Sequence, residues 1–310
     1  MPTRPPYSSG LSGGNAKAAL ILLAAAGAFA LMALLIKILG QSLHVTQILF
    51  LRQCGMLLVI SPQLVSDFRG TMSTGRPFLQ LLRAGFALIA MLCGFTAFIN
   101  MPLADVTAIG FSKSFFVTLF AILILKETVG PRRWIAVFIG FAGVILMVRP
   151  GTSSFDFYSL YALAGASAAG LVMVIIRLLS RTESGKTILA YQTILVGLAM
   201  AVPAFLYWQT PTWQQWGLLA VLGVVSYLGQ RGNIRAYSMG EASLLASLDY
   251  VRLIYATILG YVVFSHLPDR YTVFGAVVII VAAIYTIHRE AKLNRKLTSE
   301  ANARSYTGSQ

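Results

Sequence analysis

Residues 18–36 read AALILLAAAGAFALMALLI, nineteen positions without a charge. A helix crossing a hydrocarbon core of about 30 Å needs roughly that many apolar residues, and inside lipid it must satisfy every backbone group by itself. The run continues to Leu39 with no small-residue cleavage site, and more spans of equal quality follow, so it does not read as a removable leader. Composition agrees over all 310 residues: 57% are hydrophobic, 11% are charged, and the mean hydropathy is +0.75. Those values lie far from the averages of soluble domains.

A window of about nineteen residues predicts helices near 17–39, 45–65, 78–99, 103–125, 133–149, 157–179, 187–207, 216–236, 242–264 and 271–288, ten spans. The weakest is 216–236, where Gln230, Arg231, Asn233 and Arg235 crowd the second half, so nine is the alternative count. Connections are short and carry turn chemistry: Ser61-Pro62, Arg149-Pro150-Gly151, Gln209-Thr210-Pro211 and Leu267-Pro268-Asp269. The expected fold is an all-α membrane protein in one compact bundle.

The net charge of +14 suggests nucleic acid until the basic residues are placed. With the amino terminus inside, seventeen of 24 lie on the inner side, and only Lys37, Arg149 and Arg270 lie outside. That bias is the positive-inside pattern; it puts both termini in the cytoplasm and favours an even number of spans. The segment HREAKLNRKL at 288–297 then faces anionic headgroups. Trp208, Trp213 and Trp216 read as an interfacial belt on the outer side. No nucleic acid is expected as a partner.

Catalytic signatures are missing: there is no Gly-rich phosphate loop, no His-Glu-x-x-His and no Gly-x-Ser-x-Gly. His44, His266 and His288 are scattered near span ends, and Cys54 and Cys93 read as small hydrophobes. The expectation is no enzyme, no cofactor and no metal.

Four basic groups remain inside the spans: Arg52, Lys113, Arg231 and Arg252. A Lys or Arg at a helix centre costs at least about 2.5–3.5 kcal/mol, so it normally faces a bundle interior and marks a substrate path. Asp249 sits one turn before Arg252 and offers a structural ion pair instead. Lys113, in AIGFSKSFFV at 108–117, has no acid near it on its own helix, whereas Arg231 is close enough to a span end to snorkel.

Residues 97–150 align with 236–289 at a constant offset of 139. The identities are Ala97/Ala236, Thr118/Thr257 and Ile145/Ile284, and the classes match more widely: Phe98/Tyr237, Phe111/Tyr250, Lys113/Arg252, Ala136/Gly275, Gly143/Ala282 and Arg149/His288. Five spans separate the copies, so they enter the membrane in opposite directions. Inverted repeats of this kind bind substrate near the midplane between two rocking halves.

MPLADVTAIGFSKSFFVTLFAILILKETVGPRRWIAVFIGFAGVILMVRPG, 101–151, resembles the end of an EamA repeat, and GEASLLASLDYVRLIYATILGYVVFSHLPDRYTVFGAVVIIVAAIYTIHRE, 240–290, resembles a second copy. EamA proteins belong to the drug/metabolite transporter superfamily. The resemblance implies ten helices as two inverted five-helix repeats: a cytoplasmic segment 1–16, a first repeat 17–150, a second repeat 151–288 and a basic tail 289–310. It also matches Arg52 to an arginine of the family's second helix. Two departures stand out: Ser112-Lys113-Ser114 replaces a usual proline, which removes the expected cause of a kink, and His266 replaces a usual glutamate. The Arg76-Pro77-Phe78 start and the YVRL segment are similar to those of bacterial uptake carriers for S-adenosylmethionine or riboflavin and of metabolite exporters.

The expected function is secondary transport of a small organic metabolite carrying an anionic group across the bacterial inner membrane. The alternatives are a riboflavin or S-adenosylmethionine carrier whose cations are structural, or a non-transporting scaffold or receptor. The architecture implied by the resemblance lines a cavity with Lys113, Arg252 and Arg52, walled by Tyr250, Phe111, Phe115 and Tyr227. Ser112, Ser114, Asn100 and Gln192 are the candidate polar caps, although ordinary packing is the commoner role for each aromatic. With no ATPase motif, coupling falls to a titratable group, and Asp249 leads Glu241 and His266. Expected partners are the metabolite and membrane lipid, with the protein a monomer or homodimer. ALAGASAAG, 162–170, puts Ala162, Ala166 and Gly170 four apart for close helix packing.

Overall fold

The computed structural model describes residues 13–125, 131–149, 156–239, 245, 248–281 and 284–285. Both termini, the basic tail, Glu127 and Glu241 lie outside them. The described residues form helices and no strand. In chain order these are α1 (Gly13–Leu39), α2 (Val45–Ser66), α3 (Phe68–Met72), α4 (Pro77–Asn100), α5 (Leu103–Gly110), α6 (Lys113–Leu125), α7 (Pro131–Val148), α8 (Tyr158–Leu179), α9 (Gly185–Leu206), α10 (Trp213–Met239), α11 (Val251–Phe264) and α12 (Arg270–Val281).

Among the described residues six spans are long and apolar enough to cross a membrane: Ala16–Leu39, Val45–Pro62, Pro77–Asn100, Leu103–Ile124, Tyr158–Leu179 and Gly185–Leu206. α11 and α12 are apolar but shorter. α10 is long, yet the polar group Gln230, Arg231, Asn233 and Arg235 keeps it out of that set, which is where the sequence signal was weakest. Helices therefore occupy all ten expected places, while the count of membrane crossings established by length and apolarity is lower.

The packing runs between the two halves of the chain. α1 lies on α10, and α8 lies on α4; α2 meets α9, and α5 meets α11. Two crossings show how backbones come this close. A Cβ added to Gly223 of α10 would stand 2.9 Å from the Cα of Gly55 in α2, and one added to Gly170 of α8 would stand 2.7 Å from the Cβ of Phe116 in α6. The expected close packing at 162–170 is realised, with Ala162 and Ala166 buried beside Gly170. Leu58, Phe138, Leu198, Val202 and Val262 cover the outside, as lipid contact requires. Trp213 and Trp216 are exposed at the start of α10, in keeping with an interfacial position.

The span at 103–124 is broken despite its missing proline. α5 ends at Gly110, and the amides of Phe111, Ser112, Ser114 and Phe115 bond three residues back, to Ala108, Ile109, Phe111 and Ser112. That tight turn resets the helix before α6 begins at Lys113. The second half repeats the device: Asp249 and Tyr250 form a turn, the amides of Arg252 and Leu253 bond to Asp249 and Tyr250, and α11 starts at Val251.

At one end of the bundle Arg149, at the end of α7, pairs with Asp269, which also accepts a hydrogen bond from the Thr272 amide at 2.7 Å and so caps α12. Partial burial pushes the Asp269 carboxyl up, but the Thr272 amide and the Arg149 charge outweigh it and hold it below the usual carboxylate range.

Two outcomes follow. Gly223→Val forces α2 and α10 apart and lowers the melting temperature in detergent by the equivalent of about 1–3 kcal/mol, whereas Gly217→Ala, with nothing within 4 Å, leaves it level or raises it. Because the Asp269 pKa is depressed on folding, its stabilisation is present above the unfolded carboxylate value and is lost as pH falls through the folded one. The melting temperature of Asp269→Asn therefore falls less between pH 6 and pH 3 (about two units above and about one below the ordinary value) than that of the parent.

Candidate functional site

The two helix breaks meet. The rings of Phe111 and Tyr250, matched positions of the internal alignment, touch edge-on with centroids 4.7 Å apart. Each break is followed two residues later by a cation, Lys113 or Arg252, so the irregular backbone delivers both charges to one place. The Arg252 guanidinium lies 5.4 Å from the centre of the Phe111 ring and 5.7 Å from that of Phe29 in α1. Sandwiching between ring faces compensates part of its lost hydration. Asp249 stands 4.0 Å from Arg252 on the same turn, the outer limit of an ion pair, and the Arg252 Nε is buried without a hydrogen bond.

Lys113 is half-buried and makes no hydrogen bond or ion pair with another described residue. The charges of Arg252 and Asp249 both act on it, one repelling and one attracting. Asp249 is thus within ion-pair reach of Arg252 alone, and Lys113 has no described carboxylate bonded to it. Ser112, fully buried at the break, has a hydroxyl with no partner. The Ser114 hydroxyl donates back to the Phe111 carbonyl at 3.0 Å, and Phe115 is buried in the same core as Phe111, Met147 and Ile279.

Other expected members lie elsewhere. Arg52 is 3% exposed in a separate shell of α2, α4 and α10, where its Nε donates to the Ser226 hydroxyl at 2.9 Å, its Nη1 donates to Gln53 Oε1 at 3.0 Å, and it sits 5.7 Å from the centre of Phe95. These neutral partners satisfy it, and no described contact joins it to Lys113 or Arg252. Gln192 accepts from Arg83 Nη2 at 2.7 Å. Tyr227 accepts from Arg231 Nη1 at 2.6 Å on an exposed face. Asn100 is exposed and donates to the Thr96 carbonyl of its own helix.

Three features escaped the sequence reading. Phe29 lies in an unbroken apolar run, and nothing in a single sequence marks which of its faces a distant arginine will meet. Arg83 was grouped with the inner surface charges but is buried between α4 and α9; its place inside the 78–99 span was the available signal. Lys37 is buried rather than free on the outer side: its Nζ donates to the carbonyls of Met101, Ile99 and Phe98 at 2.7, 3.3 and 3.4 Å, capping the end of α4. A cation at carbonyls left open by a helix end is favourably placed.

Charged groups held in a membrane bundle at two broken helices define a class, the membrane transport proteins with a discontinuous-helix centre. The chain belongs to the EamA-like transporter family, whose pattern matches residues 16–149 and again residues 156–287. It is 30% identical over 265 residues to the S-adenosylmethionine uptake transporter of Rickettsia felis, covering 85% of this chain and 90% of that one. It is 30% identical over 273 residues to the pseudopaline exporter CntI of Pseudomonas aeruginosa, covering 86% and 94%. It is 29% identical over 250 residues to the riboflavin transporter of Brucella anthropi, covering 77% and 86%. A crystal structure shares the fold with a TM-score of 0.61 over 90% of this chain and 99% of its own, at 17% identity. The protein is therefore a member of a bacterial family of small-molecule transporters.

Asp249 sets a double-mutant test. Asp249→Asn leaves Lys113 and Arg252 opposed without a counter-charge and lowers the melting temperature. Adding Lys113→Met relieves the repulsion, so the double variant is more stable than the sum of the singles by about 0.5–3 kcal/mol.

Proposed function

We propose that the protein is a secondary transporter of a small organic metabolite bearing a carboxylate or phosphate, working by alternating access around Lys113 and Arg252. The observation that carries this reading is that Lys113 and Arg252, at matched positions of the two repeats, each follow a helix break, and that the Phe111 and Tyr250 rings at those breaks touch, with Asp249 4.0 Å from Arg252. A net positive centre of low dielectric attracts one further negative group, and charge-assisted hydrogen bonds to it are the stronger kind. Ser112, with its orphaned hydroxyl, and the Phe111 and Tyr250 rings complete a plausible cradle.

The pairing α1 with α10 answered by α8 with α4, and the self-matched pairs α2 with α9 and α5 with α11, support two inverted five-helix repeats. We assign residues 17–150 and 151–288 to them, with ten crossings, the segment 1–16 and the tail 289–310 in the cytoplasm, and the bacterial inner membrane as the location. Asp249, 4.0 Å from Arg252, is the coupling candidate.

The names of the relatives favour a second reading, an S-adenosylmethionine or riboflavin carrier. S-adenosylmethionine has one carboxylate but also an ammonium and a sulfonium and is net cationic, and riboflavin is neutral, so in this reading Lys113 and Arg252 have a structural role.

Thermal stabilisation of the detergent-purified protein against carboxylates, nucleotides, amino acids, riboflavin and S-adenosylmethionine decides between them. An anionic or zwitterionic compound at about a hundred times its Kd stabilises the parent by about 2.7 kcal/mol, and Lys113→Ala and Arg252→Ala each lose most of that shift. Equal shifts of all three proteins by a neutral or net cationic compound make the cations structural and overturn the substrate class. A scaffold or receptor without transport leaves no compound moved across reconstituted vesicles.

A further inference from the structure

A second cluster of buried polar groups lies at the opposite end of the bundle from the Arg149–Asp269 pair, where α4 and α9 begin. The short α3 and the turn behind it are strapped over it. The Tyr191 hydroxyl donates to the Met72 carbonyl at 2.9 Å, and Glu183 Oε1 accepts from the Thr74 hydroxyl and the Gly75 amide, each at 2.9 Å. Thr71 on the inner face of α3 and, beneath the strap, Gln80, Arg83 and Gln192 are all 5% exposed or less.

Arg83 is held only by neutral acceptors. Its Nη1 donates to the Ile188 carbonyl at 3.0 Å and its Nη2 donates to Gln192 Oε1 at 2.7 Å, and no described carboxylate pairs with it. Its Nε, both polar atoms of the Gln80 carboxamide and the Thr71 hydroxyl have no partner at all. Each orphaned group is desolvated without a hydrogen bond in return, and native proteins keep few of them. Four such atoms on Thr71, Gln80 and Arg83 describe a site closed in this conformation rather than a packed core. The groups supply donors from Arg83, Thr71 and the Gln80 amide nitrogen, which is what an oxyanion takes.

We propose that Arg83, Gln80 and Thr71 form a second anion-recognition station on the cytoplasmic side of the transport path, taking the carboxylate or phosphate of the cargo when the starts of α4 and α9 separate. This rests on the transport reading above. α4 belongs to the first repeat and α9 to the second, so a rocking motion of the repeats parts them. Arg83 then exchanges the Gln192 and Ile188 oxygens for the anionic group, and the turn at Thr74 and Gly75, tied by Glu183, is the piece that lifts while Tyr191 holds α3 and its Thr71 in place. Arg83 thus both latches the closed end and receives the cargo when it opens.

The test needs no knowledge of the cargo. In a Cys54→Ser, Cys93→Ser background, Gln80→Cys in inside-out vesicles is exposed to two thiol reagents, anionic 2-sulfonatoethyl methanethiosulfonate and cationic 2-(trimethylammonium)ethyl methanethiosulfonate. The expected result is modification by both, with the anionic reagent favoured about tenfold relative to a free thiol. Inorganic phosphate slows it, Arg83→Lys keeps the preference, and Arg83→Gln abolishes it. Thr71→Cys gives the same readout should Gln80→Cys fold poorly. Absence of modification in a folded variant, or equal rates for the two reagents, overturns the proposal. Protection by anionic lipid but not by inorganic phosphate also overturns it, assigning Arg83 to a headgroup. Because the readout is local, it fails independently of ligand binding at Lys113.

Discussion

The whole arrangement depends on the cost of placing positive charge in a hydrocarbon-like interior with few acids to meet it. Where an isolated Lys or Arg would be excluded from a bundle, the described residues include five buried or half-buried within it: Lys37, Arg52, Arg83, Lys113 and Arg252. Each solution differs. Lys37 caps open carbonyls, Arg52 is satisfied by a hydroxyl, an amide and a ring, and Arg83 leans on a carbonyl and a carboxamide. Of these five, Arg252 alone has a described carboxylate within 4.0 Å, Asp249.

These solutions separate structure from function. A cation whose donors are filled by the fold, such as Lys37 or Arg52, stabilises one arrangement and resists change. A cation left with unused donors, such as Arg252 or Arg83, keeps capacity for something outside the fold. In the proposed rocking of the two halves, the close crossing of Gly55 with Gly223 is a fixed joint and the cations with unused donors lie where the halves part.

The broken helices are the structural device that joins charge to symmetry. A continuous helix would carry Phe111 and Lys113 past each other on different faces. The turn at Phe111 and Ser112, and its counterpart at Asp249 and Tyr250, turn both halves toward one point and bring the matched rings into contact. Proline is not needed for this. A run of three-residue-back hydrogen bonds achieves the same break, and the serines on either side of Lys113 suit such a turn because their hydroxyls can bond local carbonyls.

Much of this was legible in the sequence, because length and apolarity of a helix in lipid are one-dimensional properties. The places of the helices, the weak candidate at 216–236, the family, and the match of Lys113 to Arg252 in the 139-residue alignment all follow from patterns along the chain. What tertiary structure alone decided is which buried group meets which. Arg52 reads like Lys113 in sequence, yet Ser226 from 174 positions away fills its donors. Gln192 reads as a free polar cap, yet Arg83 takes its oxygen. The sequence states that a charge is buried and how much that costs. The partner that offsets the cost comes from a distant helix, and hydrogen bonds of a few ångströms depend on packing angles that no local pattern encodes.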